Sequence, residues 1–211
     1  MGMVRSLMVL LLALLLPAVA LAADAPVEGV DYQRIEDGAP FRPLKPGQVE
    51  VVEIFAYTCI HCAHFAPAVE TWRATLPKNV RFNYVPAAYE VDDSLGRAFF
   101  AAESMNLLPR THAMTFRAIH NDSLLAMNPT DGEIASYYQT LGVNPTKFLA
   151  AMASPAVAVR MQAAHDFSLR SKIEGTPTLI VNGQYRVAGN SAEAQLANAR
   201  RIVDMLLSAK P

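Results

Sequence analysis

Cysteine is almost absent: the chain of 211 residues has two, Cys59 and Cys62. A framework of structural disulfides is therefore excluded, because it would need several pairs. A second C-x-x-C and an H-x-x-x-H pair are also missing. A four-ligand structural zinc site built on Cys59, Cys62 and His61 or His64 would lack donors, so no metal is expected. Net charge is nearly zero, −1 from 18 basic and 19 acidic residues. That leaves no electrostatic footprint for nucleic acid or for an anionic membrane surface. No internal repeat and no low-complexity tract is present. No sequence feature asks for a cofactor.

What is present begins with an N-terminal leader. Arg5 precedes an apolar run, Leu7 to Leu16, which Pro17 breaks before Ala20-Leu21-Ala22. This order reads as a signal peptide over residues 1–22, with cleavage after Ala22 or Ala23. The run is shorter than the ~20 residues a membrane anchor needs. An exported protein meets oxidants, so its thiols tend toward disulfide. A staple across so short a loop would constrain the unfolded chain little, which favours a working redox couple.

The remaining chain is apolar enough for a sizeable core, at 52% hydrophobic residues overall. Residues 24–47 are polar and broken by Pro26, Gly29, Gly38, Pro40, Pro43, Pro46 and Gly47, an extended arm with a short edge strand at 30–35. A buried strand is predicted over 49–56, a helix from Ile60 to Leu76 disturbed by Pro67, and a strand over 80–85. Five helices follow, at 92–107, 109–120, 130–141, 145–153 and 155–171, with start signals at Asp92, Thr130 and Asn144-Pro145. A strand at 178–181 and a return strand at 184–188 flank Asn182-Gly183, a strong two-residue hairpin signal. Ser191 caps a last helix over 192–208. The first strand–helix–strand suits a parallel crossover, and the hairpin suits antiparallel addition to the same sheet. The class is α/β: 23–88 and 173–211 form one sheet domain, and 89–172 form an inserted helical domain.

Cys59-Ile60-His61-Cys62 stands at the strand-to-helix junction. A thiolate, not a thiol, attacks or leaves a disulfide. Cys59 at the helix N-terminus meets free N–H groups and the positive end of the dipole. Cys62 lies one turn in and is more enclosed. Cys59 is thus expected to exchange with partners and Cys62 to resolve. His61 can donate to a Cys59 thiolate or attract it as a cation; the alternative is a solvated loop histidine. His64 reads as solvated or packed, and His112, His120 and His165 as structural. Glu53, within the apolar strand, is either outward-facing or a buried acid able to relay the Cys62 proton. Thr176-Pro177 is either a plain loop or a cis peptide.

These residues together resemble the DsbA thiol:disulfide oxidoreductases of the thioredoxin superfamily. The likeness rests on Cys-x-His-Cys after an acid-bearing strand, the helical block, Gly175-Thr176-Pro177-Thr178-Leu179 and Val181-Asn182-Gly183, and it covers the mature chain. It implies a thioredoxin fold with an inserted helical domain. It also implies that Pro177 is a cis-proline against the disulfide, that Thr176 offers backbone groups to a peptide strand, and that Glu53 is the buried acid. Ile60 stands where many members have proline, and Thr176 where many have valine. Both bear on the redox potential rather than on the reaction class.

The expectation is a monomeric periplasmic enzyme. It would pass its disulfide to unfolded exported proteins with free thiols and be reoxidised by a DsbB-like membrane oxidase, as the resemblance implies. A reductase or isomerase is the nearest rival, although the arm at 24–47 is too small for an isomerase's dimerisation domain. A peptide-binding holdase with a structural disulfide is the rival of another class.

Overall fold

Every residue of Val49–Phe55 (β2) is buried, and this strand has neighbours on both sides. The computed structural model describes residues 25–209, so the predicted leader lies outside the described residues. The first strand, β1, is Tyr32–Arg34. After β2 come α1 (Ile60–Arg73) and β3 (Val80–Pro86). Five helices follow: α2 (Ser94–Ser104), α3 (Leu108–His120), α4 (Asp131–Thr140), α5 (Pro145–Met152) and α6 (Pro155–Arg170). Then come β4 (Thr178–Val181), β5 (Tyr185–Val187) and α7 (Ala192–Ser208). The sheet order is β1-β5-β4-β2-β3. β2 and β3 are parallel and the other pairs antiparallel, so the sheet is mixed.

Strand alternation sends side chains to two cores. Val49 and Val51 of β2 pack with Phe65 and Val69 of α1 and with Leu196, Ala199, Ile202 and Val203 of α7. Val52 and Ile54 join the larger core built on Phe99, Phe100, Ile134, Tyr138, Phe148 and Phe167 of the helical block. Each such large side chain contributes roughly 1.5–3 kcal/mol when fully buried.

Local signals explain most boundaries. Thr130 closes a capping box with Glu133, and Asn144, Ser154 and Ser191 each accept a backbone N–H at a helix start. Asn182 and Gly183 both have left-handed φ, 50° and 67°, as a tight hairpin of this type requires. A Cβ on Gly183 would run into the Ala39 carbonyl, so the turn also packs on the arm.

Three expectations need correction. α1 ends at Arg73 rather than Leu76, because Leu76 precedes Pro77 and a residue before proline avoids the helical region. Pro67 lies inside α1 as expected, supplying no N–H to its ladder, and the helix continues a turn and a half beyond it. The cap of α2 is Asp93, not Asp92: its carboxylate accepts from the Leu95 and Gly96 N–H groups. α2 also stops at Ser104, where Asn106 turns left-handed.

The arm is held by an acid that the sequence reading passed over. Glu50, fully buried in β2, accepts from Phe41 N at 2.6 Å, Arg42 N at 3.3 Å, Arg81 Nη2 at 2.7 Å and Asn83 Nδ2 at 2.8 Å. Truncating it would leave these donors without their acceptor. Glu50→Ala is expected to destabilise the protein by about 3–5 kcal/mol in urea unfolding. Glu28→Ala removes an exposed pair with Arg34 and is expected to cost less than ~1 kcal/mol. Equal midpoint shifts for the two would contradict this account.

Candidate active site

The two thiols are placed by the junction of β2 and α1. After Phe55 the chain turns, with Cys59 N bonded to Ala56 O at 3.1 Å. Cys59 is the N-cap of α1, in extended backbone conformation, and its Sγ accepts the Cys62 N–H at 3.3 Å. Sulfur thus does here what a serine or aspartate oxygen does at other helix starts. Cys59 is half-buried and Cys62 has no exposure; both are free thiols.

The Thr176–Pro177 peptide is cis, and the Thr176 carbonyl lies 3.1 Å from Cys59 Sγ, near enough to accept the thiol proton. The sheet brings this segment to the sulfurs because β4 pairs with β2, Thr178 opposite Ile54.

The sulfurs differ electrostatically. Partial burial pushes the Cys59 thiol up, but the Thr176 side chain, the Cys62 thiol and the backbone N–H groups of Cys62 and His61 outweigh it, and the net direction is down. Cys62 is pushed far up, first by burial, with the neighbouring Cys59 adding to it. One sulfur therefore ionises easily and the other resists ionisation.

Of the two settings open to the His61 ring, the structure shows the solvated one. The imidazole is exposed and makes no hydrogen bond to Cys59; the backbone N–H of His61 supports the sulfur instead. The ring lines a groove of about 390 Å³ with His64, Phe65, Thr176, Pro177 and Gln195. Of the other histidines, His120 bonds the Tyr57 carbonyl and His165 the Ala88 carbonyl, both at 2.8 Å. His112 is buried, pairs with the Tyr57 hydroxyl at 2.9 Å, and is pushed down to about 3 by burial.

Glu53 is buried, and its Oε2 has no hydrogen-bond partner. Burial first, then the Glu70 and Cys59 charges, push its carboxyl up to about 8. Two further residues at the site escaped the sequence reading. Tyr89, in the loop after β3, is 58% exposed and interacts with the Thr176 side chain and both sulfurs. An aromatic in a loop carries no spacing signal that would single it out. Glu70 stands eight residues after Cys62, and that interval was a signal, because residues four apart share a helix face. Among the described residues no three His, Cys, Asp or Glu side chains gather where a metal ion could sit, and no helix is long and apolar enough to cross a membrane.

Comparison with known proteins agrees with this geometry. The family model of the DSBA-like thioredoxin domain matches residues 90–200. The thiol:disulfide interchange protein DsbA of Azotobacter vinelandii is 34% identical over 164 residues, 77% of this chain and 75% of that protein. DsbA of Pseudomonas aeruginosa PAO1 is 34% identical over 174 residues, 82% of this chain and 81% of its own. Among solved structures, the oxidoreductase DsbA of Xylella fastidiosa superposes with a TM-score of 0.84 at 42% identity, covering 88% of this chain and 100% of that one. Pseudomonas aeruginosa DsbA gives 0.74 at 30% identity, covering 85% and 92%. Fold, paired sulfurs and relatives converge on one conclusion: the chain belongs to the DsbA family and is a thiol:disulfide oxidoreductase of the thioredoxin fold.

Proposed function

We propose that the protein is a periplasmic oxidase of folding proteins. The observation that carries this reading is the opposite treatment of the two sulfurs, Cys59 held toward thiolate and Cys62 toward thiol. In the oxidised enzyme a substrate thiolate attacks Cys59 Sγ. The Cys59–Cys62 bond breaks, its electron pair leaves on Cys62, and a proton makes that sulfur a thiol. A second substrate thiolate then attacks the substrate sulfur of the mixed disulfide. Cys59 departs as the better leaving group, because its thiolate is stabilised. Two electrons have passed from substrate to enzyme, and the substrate holds a new disulfide. A thiolate favoured only in the reduced form makes the enzyme disulfide easier to reduce, which is the direction an oxidase needs.

Other features support the surroundings of this reaction. The groove beside His61 and Pro177 opens next to Cys59, and the Thr176 backbone at its edge suits an extended peptide added as a strand. The sheet domain of 23–88 and 173–211 carries the sulfurs, and the helices of 89–172 wall the site from one side. The leader over residues 1–22 and the kinship with thiol:disulfide interchange proteins support export. A DsbB-like membrane oxidase would return the dithiol to disulfide. The monomer is the acting unit, because both sulfurs and the groove come from one chain.

Two measurements test this reading. Cys59→Ser is expected to abolish oxidation of a reduced, unfolded substrate, while Cys62→Ser traps the substrate in a mixed disulfide on Cys59. Normal turnover by Cys59→Ser would overturn the assignment. The second test compares stabilities of the reduced and oxidised forms in urea across pH. A thiol depressed in the folded state contributes stability above its unfolded pKa, near 8.5, and this is lost as pH falls through the folded value. The reduced form is therefore expected to be the more stable one at neutral to mildly alkaline pH, with the difference shrinking toward acid. An oxidised form more stable throughout would identify the disulfide as a staple.

A further inference from the structure

Glu53 has two in-register neighbours, Tyr84 on β3 and Leu179 on β4. Residues in register leave the same face of a sheet, so both side chains flank the acid. Leu179 has no donor. Tyr84 has one, but its hydroxyl donates to Glu70 Oε1 at 2.7 Å, and Glu53 Oε2 remains unpartnered.

Glu70 reaches this place from α1. Cys62, Ala66 and Glu70 follow at four-residue intervals, so Glu70 lies two turns below the buried sulfur on the same helix face. Its outer oxygen pairs with Arg73 at 2.7 Å. Its own burial would raise the carboxyl, but the Arg73 and Tyr84 donors outweigh this and keep it a carboxylate. The charged and titratable groups that act on Glu53 are therefore Cys59 and Glu70 from α1 and Tyr84 from β3, with Arg73 paired to Glu70. Behind Tyr84 stands the neutral His112 ring of α3, 4.3 Å away.

We propose that Glu70 is a positioning residue for the buried acid: it captures the Tyr84 hydroxyl and sets a fixed negative charge beside Glu53, keeping Glu53 in its carboxyl form. The proposal rests on the oxidase reading above and deepens it. When the disulfide is attacked, Cys62 leaves with the electron pair into a site that disfavours thiolate. The Glu53 carboxyl supplies the proton, and the resulting carboxylate regains one from water. An acid already ionised at neutral pH could not do this.

The test is a carbon-13 NMR titration of the Glu53 carboxyl in the oxidised protein, its resonance identified by loss in Glu53→Gln. Glu70→Gln keeps an acceptor for Tyr84 and removes the charge; Glu70→Ala removes both. The Glu53 midpoint is expected to fall by about one unit in Glu70→Gln and further in Glu70→Ala, where Tyr84 is free to donate to Glu53. In a Tyr84→Phe background the two replacements should lower it equally. Because Glu70 is partly exposed, Glu70→Gln is expected to fold normally. An unmoved midpoint in both Glu70 variants overturns the proposal. The alkaline limb of the substrate-oxidation pH profile should shift to lower pH by the same amount, which a merely structural loss would not produce. A shifted midpoint with an unshifted limb supports the hold of Glu70 on Glu53 and counts against Glu53 as the proton donor in turnover.

Discussion

The contact between Cys59 Sγ and its two hydrogen-bond neighbours is the constraint on which the site depends. The sulfur caps α1 through the Cys62 N–H and lies against the Thr176 carbonyl. Each partner comes from a different part of the fold. α1 can start at Ile60 because the chain turns directly after β2, and Thr176 arrives because β4 is hydrogen-bonded to β2. The helical block lies between β3 and β4 in the chain, yet the sheet closes over that interval as though it were a loop. The buried apolar run of β2 thus fixes both sides of the sulfur. Its exposure is the remainder: α1 covers one flank and the cis segment another, leaving an open side toward the groove.

The two acids of β2 show how one strand serves stability and chemistry at once. Glu50 and Glu53 are three residues apart, so they leave opposite faces of the sheet. Glu50 gathers four donors and ties the arm to β2 and β3. Glu53 faces α1, where its only in-register donor is turned toward Glu70. A buried carboxylate with four donors is compensated, whereas one with an unpartnered oxygen is not and prefers its proton. Burial alone therefore does not mark a functional acid; the partner count separates the two.

Much of this was legible in the sequence because the signals were local. The C-x-x-C pair after an apolar run, the Asn-Gly hairpin, and the caps at Thr130, Asn144 and Ser191 each depend on a few adjacent residues, and the structure has them there. The parallel pairing of β2 with β3 followed from the intervening helix. What escaped notice depends on contacts across long separations. Glu50 reads as a plain polar residue at a strand edge until Phe41, Arg81 and Asn83 are brought to it. Tyr89 is one loop aromatic among seven tyrosines until it reaches Thr176. For the His61 ring, adjacency in sequence left two settings open, contact with the sulfur or solvent. At a helix start the backbone N–H groups converge on the cap while the first-turn side chains splay outward, so His61 supports the sulfur with its main chain.

The same geometry shows how the departures at Ile60 and Thr176 act. Ile60 is 42% exposed, and its side chain has no polar group to offer the sulfurs. Its effect on them runs through the backbone: proline at this first helical position would have no N–H, whereas isoleucine adds one donor to the positive end of α1. Thr176 acts through its side chain, which lowers the Cys59 thiol where valine would have only methyl groups to offer. Both substitutions add donors around the cap, and donors favour the thiolate, the form that exists only when the pair is reduced. The two residues that depart from the commoner family pattern therefore push in one direction, toward a disulfide more readily reduced by its substrate.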